Sequence, residues 1–252
     1  MRLKGKVAVV TGAGAGIGQA VALRFAREGA GVVVAEIDSG NGQATVEAIQ
    51  RSEGAALFAR ADVSDENDVK AMVTAASNCF GRIDILFNNA AILLHGRDTR
   101  AHELSTEVWD RTMAVNLGGY WLCSKYVIPH MLRQRQGSII HVASPTGMLG
   151  FASLTAYSTS KGGVFALTRA MAADYAPEHI RVNAIVPGTI DTPMNAAELA
   201  NEESRQRFIA MAPAGRLGIP EDICGLAVFL ASDESQYCVG GFYAVDGGQT
   251  AV

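Results

Sequence analysis

Tyr157, Lys161 and Ser144 are the residues whose types and spacing could do chemistry. The segment from Thr155 opens a stretch of helical character that runs to about Tyr175. Residues four apart on a helix lie on one face with their Cβ atoms about 5–6 Å apart, so the Lys161 ammonium can lie close to the Tyr157 phenol. A neighbouring cation favours the phenolate and lowers a pKa that is about 10 in free tyrosine. This pair therefore indicates a tyrosine that exchanges protons near neutral pH, although such pairs are also common on solvated helix faces.

A glycine-rich turn near the N-terminus predicts a site for a nucleotide phosphate. An apolar, β-branched run over Lys6–Thr11 leads into Gly12, Gly16 and Gly18, and helical periodicity follows over Gln19–Glu28. A strand, a glycine turn and a helix in this order allow close backbone approach and direct unpaired N–H groups at a pyrophosphate. The spacing is T-G-x-x-x-G-x-G, not the G-x-G-x-x-G of the common dinucleotide fingerprint. The alternative interpretation is a flexible loop without a ligand, which the flanking strand and helix disfavour.

An acidic residue after the second apolar run predicts which nucleotide binds. The strand Gly31–Ala35 ends at Glu36, about 20 residues after the glycine turn, where a carboxylate can accept hydrogen bonds from the adenosine ribose. The same carboxylate would repel a 2′-phosphate, and neither Ala15 nor Ile37 supplies a compensating cation. Asp38 is the alternative acid, but its position before a Ser-Gly pair is typical of a turn or a helix cap. The sequence therefore predicts NAD as the cofactor rather than NADP.

The chain resembles the short-chain dehydrogenase/reductase family over essentially its whole length, from Lys4 to Gly248. Several motifs in register are far more specific than any one of them. The resemblance implies a nicotinamide-dependent oxidoreductase with a single-domain Rossmann-type α/β fold, in which helices flank a doubly wound parallel sheet. It rests on motifs that occur in the family's order and approximate spacing, which are Thr11–Gly18, Asn88–Ala90, Asn116, Ser144, Tyr157, Lys161 and Pro187–Gly188.

The resemblance also implies a role for each of four catalytic residues. Tyr157 would act as the general acid/base, Ser144 would hold the substrate oxygen, and Lys161 would bind the nicotinamide ribose while lowering the Tyr157 pKa. Asn116, within a helical stretch predicted over Glu107–Arg133, would hold a water molecule in a proton relay. Alternatively, Asn116 bridges helices through buried hydrogen bonds, and Ser144 is an ordinary turn residue. The thirteen-residue spacing from Ser144 to Tyr157 favours the catalytic interpretation.

By the same resemblance, most of the cofactor contacts lie where strands end. Asp62, after the third apolar run, would bind adenine, while backbone near Ile190 and the Thr192 hydroxyl would meet the nicotinamide carboxamide and the phosphates. The chain has Ala91 where the family usually has Gly, which adds a methyl group beside the cofactor. The predicted cofactor-binding set is Gly12, Gly16, Ile17, Gly18, Glu36, Ile37, Asp62, Val63, Asn89, Ala90, Tyr157, Lys161, Pro187, Gly188, Ile190 and Thr192.

Composition and patterning favour one α/β domain over residues 1–252. Of these residues, 49% are hydrophobic, and seven apolar runs alternate with helical stretches, as expected for parallel strands covered on both faces. A net charge of −4 without a basic stripe argues against nucleic acid as a partner. No apolar run approaches the roughly 18 residues that span a membrane. The four cysteines and five histidines have no disulfide or metal-ligand spacing, which predicts no metal site and a cytoplasmic protein.

We therefore expect an NAD-dependent oxidoreductase that transfers a hydride between a secondary alcohol or ketone and NAD(H). The main alternative among enzymes is a 3-oxoacyl thioester reductase, which Glu36 disfavours because that reaction usually draws on NADPH in the family. The alternative from another class is a non-catalytic nucleotide-sensing protein, which the intact catalytic residues disfavour.

Three segments are expected to form the substrate pocket: Ile92–Arg100, Thr146–Leu154 and Met194–Met211. Their composition is mainly apolar, which favours a neutral cyclic or medium-chain alcohol over a free sugar. Two residues, His95 and Arg97, could instead orient a polar or anionic group. The expected apolar lining is Leu93, Leu94, Met148, Leu149, Phe151, Leu154 and Met194.

The helical segment Val115–Met131 carries apolar residues on every side, which is more than one core-facing stripe requires. The excess indicates a subunit interface, and the family commonly forms homotetramers through this helix and the next. The alternative is a helix buried deep within one subunit.

Overall fold

Seven apolar segments form one parallel sheet in the computed structural model, which describes residues 1–251. The strands are β1 (Val7–Thr11), β2 (Gly31–Glu36), β3 (Ala56–Arg60), β4 (Ile85–Asn88), β5 (Gly137–Val142), β6 (Ile180–Pro187) and β7 (Phe242–Val245). They lie in the order β3-β2-β1-β4-β5-β6-β7, and every neighbouring pair is parallel. The predicted α/β class and doubly wound parallel sheet are confirmed.

Helices cover both faces of this sheet. The described residues form α1 (Gly16–Arg27), α2 (Ser39–Arg51), α3 (Glu66–Phe80), α4 (Thr106–Met113), α5 (Gly119–Gln134), α6 (Thr155–Tyr175), α7 (Ala196–Leu199), α8 (Glu202–Ala210) and α9 (Pro220–Ala231). Buried side chains of α1, α2 and α9 pack on one face, and they include Val21, Phe25, Val46 and Ile223. Those of α3, α5 and α6 pack on the other face, and they include Val69, Val127 and Met171. The two apolar layers hold the sheet from both sides, which leaves the strand ends free to carry a site.

The predicted continuous helical stretch over Glu107–Arg133 is interrupted. Between α4 and α5 lies a π-helical turn, Ala114–Gly118, in which the Gly119 N–H donates to the Ala114 carbonyl. A Cβ atom on Gly119 would lie 2.6 Å from Val63, so only glycine allows this turn to pack so closely against the neighbouring segment. Single π-helical turns within α-helices are frequent at functional sites, and this one carries Asn116.

The strand order reverses at the point where β1 lies beside β4. In open α/β sheets, ligands bind in the crevice beyond the carboxyl ends of the strands at such a point. Most of the predicted site residues follow those ends: Thr11 ends β1, Glu36 ends β2, Asn88 ends β4, Val142 ends β5 and Pro187 ends β6. The topology therefore gathers residues from across the whole chain at one edge of the sheet.

Within residues 1–251, no helix combines the length and apolar character that crossing a membrane requires. The same residues contain no group of three or more His, Cys, Asp or Glu side chains placed to hold one metal ion. All four cysteines are free thiols, and Cys123 and Cys224 are buried.

Candidate active site

A cleft of about 390 Å³ opens at the carboxyl ends of the strands. It runs from the glycine turn and the end of β2, past the first turn of α6, to the segment that contains α7. Most of the predicted site residues line it, which are Gly12, Gly16, Ile17, Glu36, Ile37, Asp62, Val63, Asn89, Ala90, Ser144, Tyr157, Lys161, Pro187, Gly188, Ile190 and Thr192.

Gly18 and Asn116 are the predicted site residues that do not line the cleft. A Cβ atom on Gly18 would overlap the Gly12 carbonyl oxygen, so Gly18 permits the tight turn rather than facing the cleft. The Asn116 side chain is fully buried. Its Oδ1 accepts from the Ile92 N–H (2.8 Å), and its Nδ2 donates to the Ile92 carbonyl (2.9 Å) and to Ser160 Oγ (3.2 Å). Asn116 thus fixes the loop after β4 to α6, as the bridging alternative describes, and its role in a proton relay stays a prediction.

Hydrogen bonds to the residues that follow β4 fix the glycine turn, and its geometry could accommodate a phosphate. Thr11 Oγ1 accepts from the backbone N–H groups of Asn89 (2.9 Å) and Ala90 (3.1 Å), and Asn89 Nδ2 donates back to the carbonyls of Thr11 and Gly12. Gly12 has φ +63° and lies so close to Ala90 that a side chain would clash with it. The N-cap residue of α1, Ala15, has no side chain that could bind the first N–H groups of the helix. Those groups and the helix dipole fit an anionic pyrophosphate.

Glu36 is pre-positioned at the end of β2 by backbone donors. Its Oε2 accepts from Gly14 N–H (2.9 Å), and its Oε1 accepts from Ile37 N–H (2.8 Å) and Asp38 N–H (3.1 Å). The alternative acid, Asp38, caps α2 by accepting from Asn41 N–H (2.9 Å), as its sequence context predicts. Of these two acids, Glu36 is the one that lines the cleft and contacts the glycine turn.

Asp62 lines the cleft beside Arg111, a residue that the sequence analysis did not identify as part of a site. Its Oδ1 accepts from the N–H and hydroxyl of Ser64, and its Oδ2 accepts from Arg111 (3.1 Å). Burial raises the pKa of Asp62, but the bonds from Ser64 and Arg111 outweigh it, so the pKa lies below its usual range. Arg111 also lines the cleft. It is on α4, where its helical surroundings give no sign of a site.

Tyr157, Ser144 and Lys161 come together at the centre of the cleft. Tyr157 is in the first turn of α6, and the Lys161 ammonium lies 5.7 Å from the centroid of its ring. Lys161 Nζ donates to the Val142 carbonyl (2.8 Å) and to Tyr120 Oη (3.4 Å). Ser144 caps the short helical turn that follows it, by accepting from Thr146 N–H (3.3 Å). Ser144 thus caps this turn and also lines the cleft, so its place in the turn does not exclude the predicted catalytic role.

Burial has the largest effect on the pKa values of Tyr157 and Lys161. It raises the pKa of Tyr157 to about 12, and a hydrogen bond with Ser144 partly opposes the shift. Burial lowers the pKa of Lys161 to about 7. A lowering of the Tyr157 pKa by Lys161 stays a prediction, because burial is the main influence on this pKa and the Ser144 hydrogen bond is the influence that opposes it. Tyr157 is consequently a neutral phenol near pH 7, which is the form that donates a proton.

The substrate end of the cleft is mainly apolar. Of the predicted apolar lining, Leu93, Phe151, Leu154 and Met194 do face the cleft. The other three predicted residues do not line it, because the turn after Ser144 directs Met148 and Leu149 outwards and Leu94 lies within a loop turn. Phe208 and Gln249, which the sequence did not single out, also line the cleft.

Charged groups at the substrate end are paired with one another. His95 contacts the Met194 carbonyl through Nε2 (3.0 Å) and Glu198 through Nδ1 (3.2 Å), which connects the loop after β4 to α7. Arg97 does not line the cleft, because its guanidinium pairs with Glu107 (2.9 Å). Besides His95, the basic side chains that line the described cleft are Lys161 and Arg111, and both donate hydrogen bonds within the protein.

The loop after β6 closes one wall of the cleft. Gly188 packs against Asp246 so tightly that a Cβ atom would lie 2.7 Å from its Cα. Ile190 is buried and forms a parallel bridge with Gly218. The Thr192 side chain would lie 3.2 Å from a Cβ atom on Gly16, so it stands directly over the glycine turn. Thr192 can thus reach the same phosphate site as α1.

Comparison with known proteins agrees with this geometry. The family model described as enoyl-(acyl carrier protein) reductase matches residues 12–250. The chain is 41% identical to cis-4-hydroxycyclohexanecarboxylate dehydrogenase of Sinomonas cyclohexanicum, over 98% of this chain and 97% of that protein. It is 40% identical to 3-oxoacyl-[acyl-carrier-protein] reductase of Thermotoga maritima, over 98% and 99% of the two chains.

A solved structure shares the whole fold. It is a crystal structure of a protein provisionally assigned as an NAD(P)-dependent gluconate 5-dehydrogenase from Beutenbergia cavernae, with NADP bound at low occupancy. It superimposes with a TM-score of 0.93 at 38% identity, over 99% of this chain and 98% of that one. The fold, the motifs and these relatives together show that the chain belongs to the short-chain dehydrogenase/reductase family of oxidoreductases.

Proposed function

We propose that the protein is an NAD-dependent secondary alcohol dehydrogenase, which also works in reverse as a ketone reductase. Its family membership makes it an oxidoreductase that interconverts alcohols and carbonyl compounds with a nicotinamide cofactor. The observation that carries the proposal is the meeting of Tyr157, Ser144 and Lys161 with the glycine turn in one cleft. A protein that only sensed nucleotides would have no need of a half-buried tyrosine and serine that face the cleft together.

In the reductive direction, Tyr157 donates its proton to the carbonyl oxygen. A phenol whose pKa is raised to about 12 is protonated at neutral pH, and Ser144 stabilises the developing charge on the oxygen. Lys161 is held by the Val142 carbonyl, at a position from which it can bind the nicotinamide ribose. When bound, the nicotinamide ring supplies or accepts the hydride, and its oxidised form adds the positive charge that favours a phenolate. In the oxidative direction, the phenolate form of Tyr157, which the charge of the bound oxidised cofactor would favour, takes up the hydroxyl proton while the hydride leaves the carbinol carbon for the cofactor.

Glu36 supports NAD as the preferred cofactor. Three backbone N–H groups hold its carboxylate rigidly at the end of β2, where it can accept hydrogen bonds from ribose hydroxyls and would repel a 2′-phosphate. The nearby cation Arg111 is bound to Asp62, so it is not free to pair with a phosphate. Because the similar crystal structure contains NADP, the preference of this protein for NAD over NADP should be measured directly.

The substrate class that fits the cleft best is a neutral secondary alcohol with an apolar ring or a medium-length chain. Leu93, Phe151, Leu154 and Met194 gain by burying apolar surface, at about 25 cal/mol per Å². The substrate named for one relative contains the cyclohexane ring expected here, but it also carries a carboxylate, so it supports the apolar ring and not the neutral charge. The mutual pairing of His95 with Glu198 leaves neither group free for a polyol or an anionic acyl carrier.

A panel of alcohols with NAD, followed by the absorbance of the reduced cofactor, tests this function. We expect kcat/KM for cyclohexanol or a medium-chain secondary alcohol to exceed that for gluconate and for a 3-hydroxyacyl thioester. A higher value for gluconate would favour the sugar-acid activity named for the similar structure. A higher value for the thioester with NADP would favour the reductase activity named for the Thermotoga relative.

A further inference from the structure

Asp98 is a buried carboxylate that binds the backbone of the catalytic tyrosine. It lies in the loop between β4 and α4, and only 4% of its surface is exposed. Its Oδ2 accepts from the Tyr157 N–H (2.8 Å), and its Oδ1 accepts from the Ala156 N–H (3.0 Å). Both carboxylate oxygens are thus used on two adjacent N–H groups in the first turn of α6.

The helix α6 depends on this distant residue because it has no cap of its own. Its N-cap position holds Leu154, which makes no side-chain hydrogen bond. By contrast, α2, α3, α4 and α8 are capped by their own N-cap residues, which are Asp38, Asp65, Ser105 and Asn201. Unpaired N–H groups at a buried helix start are costly. A negatively charged acceptor at this end also interacts favourably with the positive end of the helix dipole.

A second contact ties the same loop to the same turn. Thr155 Oγ1 donates to the Thr99 carbonyl (2.7 Å). Further back along the loop, Asn116 binds both backbone groups of Ile92, and Leu93 and His95 line the substrate end of the cleft. The loop that forms one substrate wall is therefore joined directly to the residue proposed to move the proton.

We propose that Asp98 is a positioning residue, which sets the place of the Tyr157 phenol relative to the substrate wall by binding the first turn of α6. This inference rests on the function proposed for Tyr157. An asparagine at this position has a single acceptor oxygen, so one of the two N–H groups would face an NH₂ group instead. The first turn would then shift or fray, while the glycine turn and Glu36, which do not contact Asp98, would keep their geometry.

The test compares Asp98→Asn with the wild-type enzyme. A misplacement of about 1 Å at a catalytic group can cost about 10²-fold in rate, so we expect kcat to fall about 10- to 100-fold. The dissociation constant for NADH, measured by fluorescence in the absence of substrate, should change less than about threefold, because the glycine turn and Glu36, which are expected to bind most of the nucleotide, are untouched.

Asp65→Asn is the matched control. Asp65 also caps a helix, but through one oxygen, since its Oδ1 accepts from both Asn67 N–H (2.7 Å) and Asp68 N–H (3.2 Å), and α3 carries none of the residues proposed to be catalytic. Asp98→Asn should lose thermal stability because one N–H loses its acceptor, and Asp65→Asn should lose less, because it removes only a negative charge at the start of α3. Only Asp98→Asn should lose kcat, so a general loss of stability cannot mimic the predicted effect.

An unchanged kcat in folded Asp98→Asn would overturn the positioning role, as would an equal loss in Asp65→Asn. If Asp98→Asn does not fold, Thr155→Val tests the same connection, and we expect kcat to fall at least threefold. An unchanged kcat in that variant would overturn the role as well. A wild-type enzyme without activity on any alcohol or ketone would instead refute the proposed function, which separates the two failures.

Discussion

Replacing Glu36 with alanine should largely abolish the preference for NAD. Hydrogen bonds from ribose hydroxyls to a charged acceptor contribute about 1.5–3 kcal/mol, and Glu36→Ala removes them for NAD. Two unit charges about 4 Å apart in water interact with about 1 kcal/mol. A phosphate close to −2 in charge therefore opposes the carboxylate by about 2 kcal/mol, and the variant removes that repulsion for NADP.

Together these two effects predict a change of about 4 kcal/mol, or about 10³-fold, in the ratio of kcat/KM for NAD to that for NADP. The ratio is the right measure because Glu36 also binds Gly14 N–H in the glycine turn (2.9 Å). Any distortion of that turn should weaken both cofactors to a similar degree and so cancel in the ratio. The assay is steady-state turnover of one alcohol at saturating concentration, with each cofactor varied in turn.

Asp38→Ser is the matched control for this experiment. It removes a negative charge two residues away, and serine keeps the ability to cap α2, as Asp38 does by binding Asn41 N–H. We expect the NAD to NADP ratio to change less than about threefold in this variant. A wild-type enzyme that works equally well with NADP, or a ratio that Glu36→Ala leaves unchanged, would refute the assignment of Glu36.

Two further predictions concern assembly and acid stability. Trp121 on α5 is half exposed and Leu132 is 37% exposed, which leaves apolar surface on this helix for a subunit interface. Light scattering at micromolar concentration should therefore give the mass of a tetramer, and Trp121→Glu should dissociate it. A monomer mass for the wild type would contradict this prediction. Glu28 has a pKa lowered to about 2, mainly because its carboxylate accepts a hydrogen bond from the Arg2 N–H. The side chains of Arg24 and Arg2 lower this pKa further, while burial raises it. Since this pKa lies below the unfolded value of 4.5, the stabilisation is complete above about pH 5 and is lost as the pH falls towards 2. The difference in melting temperature between the wild type and Glu28→Gln should therefore shrink over that range, and a constant difference would contradict the assignment.

Local patterns in the sequence were sufficient for the fold and for placing the glycine turn and Glu36 in the cleft. Each strand is a short apolar run, and periodicity alone places α6 from Thr155 to about Tyr175, as observed. The preference for Asp38 as a helix cap and Glu36 as the acid of the cleft also follows from immediate neighbours. These features depend on the order of residue types within one segment, which is the information that a single sequence contains.

Contacts between distant segments could not be predicted in the same way. Asp98 caps a helix that begins more than 50 residues later, and nothing in its own surroundings marks it as a cap. The π-helical turn at Asn116 depends on the close packing of Gly119 against Val63. Met148 and Leu149 are apolar, yet the turn after Ser144 leaves both exposed. In each case the outcome depends on how segments pack, which periodicity does not describe.

The central claim is that Tyr157 transfers the proton, and Tyr157→Phe tests it most directly. Phenylalanine keeps the ring and its packing but removes the hydroxyl, so turnover should fall by about 10² or more. Affinity for NADH should stay within about threefold of the wild type. Tyr175→Phe, at the other end of α6, is the control and should retain full turnover. Near-normal turnover in Tyr157→Phe, with either alcohol or ketone as substrate, would contradict the proposed mechanism.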